Sequence, residues 1–295
     1  MWSSTSTTGR AEENTDRLNN EVSGGSAEVC DNMLRVLGKF ELIVGSRAVD
    51  PSANCRRLLT LLAIRDCQVS RASAAGTLWP DATAARANAN LRSVLWKMQR
   101  CCPEVVDASF HVVRLAPDVC VDIKEVGQVA RSLLDRSVTR TPGGLSEALN
   151  CNLHEDIVPD LGDEEWLAAE RERHRQLRLH ALESLSEDLI AVGWHGAAVE
   201  TALSVIRVDP FRESARQLLV RAYLAEGNQL EAHRQYREYR NLMRRELGME
   251  PTDKFLKLVQ VPDIACPPQG RPRPVPHRPP VRPPAGSRRQ PVRVL

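Results

Sequence analysis

TAARANANLRSVLWKMQRCC, residues 83–102, is the stretch on which the fold of this chain depends. Its apolar residues recur at three- and four-residue intervals, so we expect one long amphipathic helix. Between Thr83 and Arg100 it carries no acid and four cations: Arg86, Arg92, Lys97 and Arg100. Such a helix either lies in a DNA groove or is an ordinary surface helix of an α-protein, and the segments around it must decide between the two.

A helical wheel with about 100° per residue divides this helix into two faces. The apolar face is predicted to pack on neighbouring helices and comprises Ala84, Ala87, Leu91, Val94, Leu95 and Met98. The outward face comprises Arg86, Ala89, Ser93, Trp96, Lys97 and Arg100, with Asn90 and Arg92 at its margins. Arg and Asn hydrogen-bond to guanine and adenine edges, and Lys contacts phosphates. Trp96 is unusual on a wet face, and the sequence leaves open whether it contacts DNA or packs between domains.

The segments before the helix predict strands and two further helices. The run LRVLGKFELIV from Leu34 predicts two strands separated by a turn or bulge at Gly38. A helix with a wide apolar face is expected from Asn54 to Arg65, and Ser70 is a suitable N-cap for a short helix ending at Trp79.

The segment after the helix is rich in β-branched residues between Val105 and Ile123 and predicts short strands, with a hairpin tip near residues 108–109. Strands, three helices and a hairpin in this order are typical of a winged helix with an N-terminal sheet, and this order favours DNA binding by the basic helix. In the hairpin, His111 and Arg114 are candidates for minor-groove or phosphate contact, although Arg114 is equally compatible with a strand surface charge. Weaker candidates for backbone contact are Arg56, Arg57 and Arg71.

A second, helical region follows from Ile123 and contains a repeat. Gly193 recurs as Gly227 and Ala198 recurs as Ala232, both 34 residues apart, and Asp209-Pro210 ends one unit. This period, with a small residue in the turn between helices, is typical of tetratricopeptide repeats. We therefore predict a mainly α fold, with an N-terminal winged-helix domain (α+β) followed by an all-α tetratricopeptide-like domain.

Four segments are predicted along the chain. Residues 1–33 form a disordered N-terminal segment, 34–122 the winged-helix DNA-binding domain, 123–260 the helical domain, and 261–295 a disordered Pro/Arg-rich tail. The tail carries seven Arg and one acid, while the whole chain has a net charge of +2. Global charge therefore does not indicate a nucleic-acid partner, and that inference depends on the local patch of the basic helix.

Several function classes are not expected. No apolar run approaches the roughly 18 residues that span a membrane, and the N-terminus lacks a signal sequence, so we predict a cytoplasmic protein without membrane contact. The eight cysteines include no CxxC pair and the histidines no HxxxH pair, so reduced thiols, no metal site and no cofactor are expected. Cys101-Cys102 is the one pair where redox sensing is conceivable. The run His154-Glu155-Asp156 lacks an evident activating partner, and we expect no enzymatic activity.

The chain resembles a known family in both halves. RRLLTLLAI (56–64), QVSRASAAGTLWPD (68–81), ARANANLRSVLWKMQR (85–100) and VCVDI (119–123) resemble the OmpR-type winged helix of the SARP family, the Streptomyces antibiotic regulatory proteins. The region from VPDLGDEEW at residue 158 to about residue 259 resembles that family's bacterial transcriptional activation domain. The resemblance covers about residues 34–259, two domains in the family's order.

The resemblance implies a transcriptional activator of antibiotic or other secondary-metabolite genes. It implies double-stranded DNA with direct-repeat promoter sites as ligand, a homodimer on that DNA, and RNA polymerase holoenzyme as partner. It places Arg92, Ser93, Trp96, Lys97 and Arg100 in the recognition helix and Arg114 in the wing. Gln99 stands where family members frequently have Arg, which predicts weaker phosphate binding.

No Walker motif occurs in the chain, so activity is not expected to depend on nucleotide hydrolysis. The alternative function is a helical-repeat scaffold or anti-regulator that uses the winged helix as a protein-docking module.

Overall fold

The structure, a computed structural model, describes residues 31–260. The predictions for residues 1–30 and for the tail from 261 lie outside the described residues. The strands are β1 (Asn32–Arg35), β2 (Glu41–Val44), β3 (Arg47–Val49), β4 (Val69–Ser70), β5 (Val106–Ala108), β6 (Val112–Leu115) and β7 (Val119–Val121). The α-helices are α1 (Ala53–Arg65), α2 (Arg71–Leu78), α3 (Ala84–Cys101), α4 (Asp122–Leu134), α5 (Pro142–Asn150), α6 (Glu165–Ala191), α7 (His195–Val208), α8 (Glu213–Ala225), α9 (Gln229–Leu247) and α10 (Asp253–Val259).

The N-terminal sheet has four strands in the order β3-β2-β1-β7. Strand β7 lies parallel to β1, so the last strand of the winged helix lies beside its first strand. Strand β1 begins at Asn32, two residues before the predicted start of order at Leu34, because Asn32 pairs with Val44 and Val119 and donates a hydrogen bond to Asp118. The turn at Gly45 leads into β3, which the sequence analysis did not predict.

Three helices follow, and two of them begin with a side-chain cap, of which the one at Ser70 was predicted. The Ser70 hydroxyl accepts the Ser73 amide at 3.1 Å and begins α2, and the Thr83 hydroxyl accepts the Arg86 amide at 3.4 Å and begins α3. These caps satisfy amides that have no partner inside a helix. Strands β4, β6 and β5 form a second, antiparallel sheet, of which the β5–β6 hairpin is the wing.

In the helical region, consecutive helices are joined in pairs by short turns. Gly193 (φ 82°) and Gly227 (φ 84°) connect α6 to α7 and α8 to α9, in a left-handed conformation that favours glycine. The repeated alanines Ala198 and Ala232 are fully buried, which allows close helix approach. Helix α5 begins at Pro142, which occupies its first turn after the Thr141 cap.

A set of hydrogen bonds joins the winged helix to the helical region. We call it the clasp and define it as residues 36–38, Asp122 and residues 154–158. The Asp122 carboxylate accepts the backbone amides of Val36 and Leu37 at 2.9 to 3.1 Å. The Val158 amide donates to the Val36 carbonyl at 2.8 Å, and the Gly38 amide donates to the Asp156 carbonyl at 2.7 Å. One buried apolar cluster also runs from Leu34 to Ala222, so the two regions share a core.

Candidate nucleic-acid interface

The apolar face of α3 anchors the helix in the winged-helix core. Five of the six residues predicted for this face are buried: Ala87, Leu91, Val94, Leu95 and Met98. Ala84 is exposed, contrary to the prediction, because it lies in the first turn, where no neighbouring element covers the helix. Burial of this stripe determines which side chains α3 presents to solvent.

The outward face of α3 is exposed and carries no acid. The predicted Arg86, Arg92, Ser93, Lys97 and Arg100 are all exposed, and Asn90 is partly so. Within residues 31–260, no carboxylate forms an ion pair with any of the four cations of α3. Unpaired cations on a rigid helix give a local positive potential that attracts phosphates.

Trp96 extends from the same face. Its side chain is 59% exposed, and the Arg100 guanidinium lies over its ring at 4.9 Å from the centroid. Trp96 therefore does not pack between the two regions, which was one of the two alternatives left open by the sequence. The other alternative, contact with DNA, is compatible with its exposure. The stacked pair presents a flat, cationic surface near the end of α3.

The wing contains the other two predicted residues. His111 is exposed, and its carbonyl accepts the Arg71 amide at 2.9 Å. Arg114 is opposite Asp107 in the hairpin register, and its guanidinium contacts that carboxylate at 3.0 Å. Asp107 thus balances the charge of Arg114 across the hairpin. This pairing agrees with the alternative interpretation of Arg114 as a strand surface charge.

A groove of about 520 Å³ connects the wing to α3. It brings together Arg71, Arg92, Phe110 and His111, and none of its lining residues is acidic. Phe110, at the tip of the wing, was missed by the sequence analysis and is 85% exposed. The available signal was an aromatic residue at a hairpin tip, in a chain with only 4% aromatics.

Two of the weaker candidates are engaged elsewhere. The Arg57 guanidinium donates to the Leu78 carbonyl at 2.5 Å and to Glu164 at 2.7 Å, where it ties α1 to the start of the helical region. Arg56 pairs with Asp50 and lies over the Phe40 ring. Both are structural in this arrangement, whereas Arg71 lines the groove.

The His154-Glu155-Asp156 run is part of the clasp. Arg178, only 1% exposed, donates to the His154 carbonyl and to the Asp156 carboxylate at 2.5 Å. Arg171 donates to the carbonyls of residues 157, 158 and 162 at 2.5 to 3.0 Å. These bonds use the loop's polar groups for packing. Within residues 31–260, no cluster of three His, Cys, Asp or Glu side chains is placed to hold a metal ion.

Two cysteine predictions meet different outcomes. The described free thiols are Cys55, Cys67, Cys101, Cys102 and Cys151. Cys120 is disulfide-bonded, so the expectation of reduced thiols throughout is wrong at that residue. The sulfur atoms of Cys101 and Cys102 are 3.2 Å apart, but burial and the hydrogen bond with Cys101 raise the pKa of Cys102 to about 12. A thiolate at Cys102 is therefore disfavoured near neutral pH.

A pH dependence of stability is expected from His174. Burial against the clasp lowers its pKa below the usual 6.5, so the folded state holds it neutral while the unfolded chain protonates it. Its contribution is fully present above pH 6.5 and is lost as pH falls below that value, by up to about 1.4 kcal/mol per pH unit. Urea denaturation between pH 7.5 and 5.5 should show a weaker pH dependence for His174→Gln than for the wild type. Equal slopes for the two proteins would contradict this assignment.

No helix in residues 31–260 combines the length and apolar character needed to cross a membrane.

A winged helix with a cationic, acid-free helix, followed by a helical-repeat region, has the architecture of a bacterial transcriptional regulator. The model of the bacterial transcriptional activator domain matches residues 118–260. The chain is 27% identical over 238 residues to regulatory protein AfsR of Streptomyces griseus, covering 76% of this chain and 24% of that protein. It is 26% identical over 231 residues to AfsR of Streptomyces coelicolor, covering 73% and 22%.

Residues 118–260 thus match the bacterial transcriptional activator domain, and the chain is similar to the AfsR regulators over about three quarters of its length. The chain spans about a quarter of the length of the curated relatives that it matches. Among solved structures, it is similar in fold to Mycobacterium tuberculosis EmbR in complex with a low-affinity phosphopeptide. The TM-score is 0.64 at 20% identity, over 78% of this chain and 64% of that one. The predicted fold class, a winged helix followed by a helical domain, is confirmed.

Proposed function

We propose that this regulator is a sequence-specific DNA-binding activator. In this proposal α3 lies in the major groove and the wing contacts the neighbouring minor groove. The observation that carries it is the outward face of α3, where four exposed cations have no ion-pair partner within the described residues while the opposite face is buried. An ordinary surface helix tends to mix both charge signs, as α6 does with its Glu172–Arg175 pair.

The finer parts of the proposal come from the family. The protein binds direct-repeat promoter sites as a homodimer, recruits RNA polymerase holoenzyme through the helical region, and activates secondary-metabolite genes. The proposed DNA contacts are Arg86, Asn90, Arg92, Ser93, Trp96, Lys97, Arg100, His111 and Arg114. Of these, we expect Arg114 to contribute least, because its charge is already paired with Asp107.

Gel-shift and footprinting experiments with DNA from the gene's own neighbourhood test this function. The wild type should shift and protect a repeated site at submicromolar concentration. An unchanged mobility at micromolar protein would favour the alternative, in which the winged helix is a protein-docking module.

Single substitutions on α3 should separate two kinds of contact. Lys97→Ala is expected to weaken binding by a similar factor for all sequences and to reduce the salt slope by about 1, because it removes a phosphate contact. Arg92→Ala should cost about 1–3 kcal/mol and relax base preference at one position, and Ser93→Ala should change preference with a smaller cost. Footprints that stay intact with all three variants would show that α3 is not the recognition element.

A further inference from the structure

The tip of the wing holds a large apolar side chain in a defined position outside the core. Phe110 is the most exposed large hydrophobic side chain among the described residues, at 85%. The Ser109 amide donates to the Val112 carbonyl at 2.9 Å, and the Val112 amide donates to the Ser109 hydroxyl at 3.2 Å, so the tip is closed by its own hydrogen bonds. The Phe110 and His111 rings meet edge to face, with centroids 4.8 Å apart.

The tip is also braced against the helices. Ser70 pairs with Val112 in the β4–β6 ladder, and the Arg71 amide donates to the His111 carbonyl. The N-terminus of α2 therefore fixes the tip relative to α3. Phe110 and Arg92 line the same groove, so a duplex that contacts Arg92 passes close to Phe110.

The chemistry of this groove selects its occupant. The cations Arg71 and Arg92 and the imidazole of His111 lie beside Phe110, and no carboxylate lines the groove. This arrangement complements a polyanion. A phenyl ring forms no hydrogen bonds with phosphates, but apolar side chains enter the minor groove and separate base pairs at a step.

We propose that Phe110 is an apolar wedge that enters the minor groove beside the site of α3 and bends the duplex, an inference that rests on the proposed DNA binding. The wing then selects sequence through deformability, with a preference for flexible pyrimidine–purine steps at the position that Phe110 reaches. The Phe110 side chain is uncharged, so its proposed role differs from that of Lys97, which attracts phosphates through its charge.

The test uses a duplex that the wild type selects from a randomised pool. Affinity, salt dependence and end-to-end distance by fluorescence transfer are measured for the wild type, Phe110→Ala and Phe110→Leu. Two control variants are Lys97→Ala, which removes a charge, and Leu230→Ala, which removes another highly exposed apolar side chain, 78% exposed, from the helical region.

Phe110→Ala should lose about tenfold in affinity and at least about 20° of bend, with the salt slope unchanged. Phe110→Leu should keep most of the bend, Lys97→Ala should lower the salt slope at the wild-type bend, and Leu230→Ala should match the wild type. A Phe110→Ala complex with the wild-type bend would overturn the wedge while leaving DNA binding intact. Failure of the wild type to select any duplex would overturn both proposals.

Discussion

Asp156→Ala is expected to lower the free energy of unfolding by about 3 kcal/mol, the largest single effect outside the hydrophobic core. The substitution removes the carboxylate that accepts a hydrogen bond from the buried Arg178 guanidinium at 2.5 Å. Burial already lowers the pKa of Arg178, which means that its environment penalises the charge. Without Asp156 this charge keeps only the His154 carbonyl as a hydrogen-bond partner within the described residues.

The partner substitution should cost less, and this asymmetry is the sharper part of the prediction. Arg178→Met removes the buried charge itself and leaves Asp156, whose side chain is about half exposed, to water. We expect a loss of about 1 kcal/mol, since an apolar side chain of similar length fills the site. The double variant should resemble Arg178→Met, so the two effects should not add.

Urea denaturation of the four proteins measures this cycle. The Asp156 carbonyl, which accepts the Gly38 amide, is retained in every variant, so the cycle reports the side chains alone. Additive losses, or an Asp156→Ala protein within about 0.5 kcal/mol of the wild type, would mean that the ion pair does not stabilise the clasp.

Local patterns made much of the fold predictable. The two faces of α3, the Ser70 and Thr83 caps and the glycine turns at 193 and 227 depend on neighbours within a few residues. The apolar period of the sequence is therefore enough to separate the buried Leu91 from the exposed Arg92.

The features that the sequence analysis missed depend on distant parts of the chain. The parallel pairing of β7 with β1 joins residues about 87 positions apart, as in Asn32 and Val119, and no local periodicity reports it. The role of Asp122 at the clasp requires the Val36 and Leu37 amides to be buried beside it. Phe110 was overlooked for a different reason, since candidates were chosen by charge and hydrogen-bonding capacity, and a phenyl ring has neither.

The double charge reversal Arg92→Glu/Lys97→Glu should abolish specific DNA binding, with a loss of at least about 100-fold near 0.1 M salt. It replaces one proposed base contact and one proposed phosphate contact with carboxylates that repel the duplex. Neither residue forms an ion pair within the described residues, and Glu is a good helix former, so the stability of α3 should change by less than about 1 kcal/mol.

A matched control separates the position of the charges from their number. Arg173→Glu/Arg245→Glu makes the same change in net charge on α6 and α9, at side chains that are strongly exposed and carry only surface ion pairs. Gel shifts at several salt concentrations should show wild-type binding for the control within about threefold, because screened distant charges contribute little. An equal loss in both double variants would show that α3 attracts DNA only through the overall charge of the protein. Wild-type binding by Arg92→Glu/Lys97→Glu would remove α3 from the interface and move the search for the contact surface to the wing and the helical region.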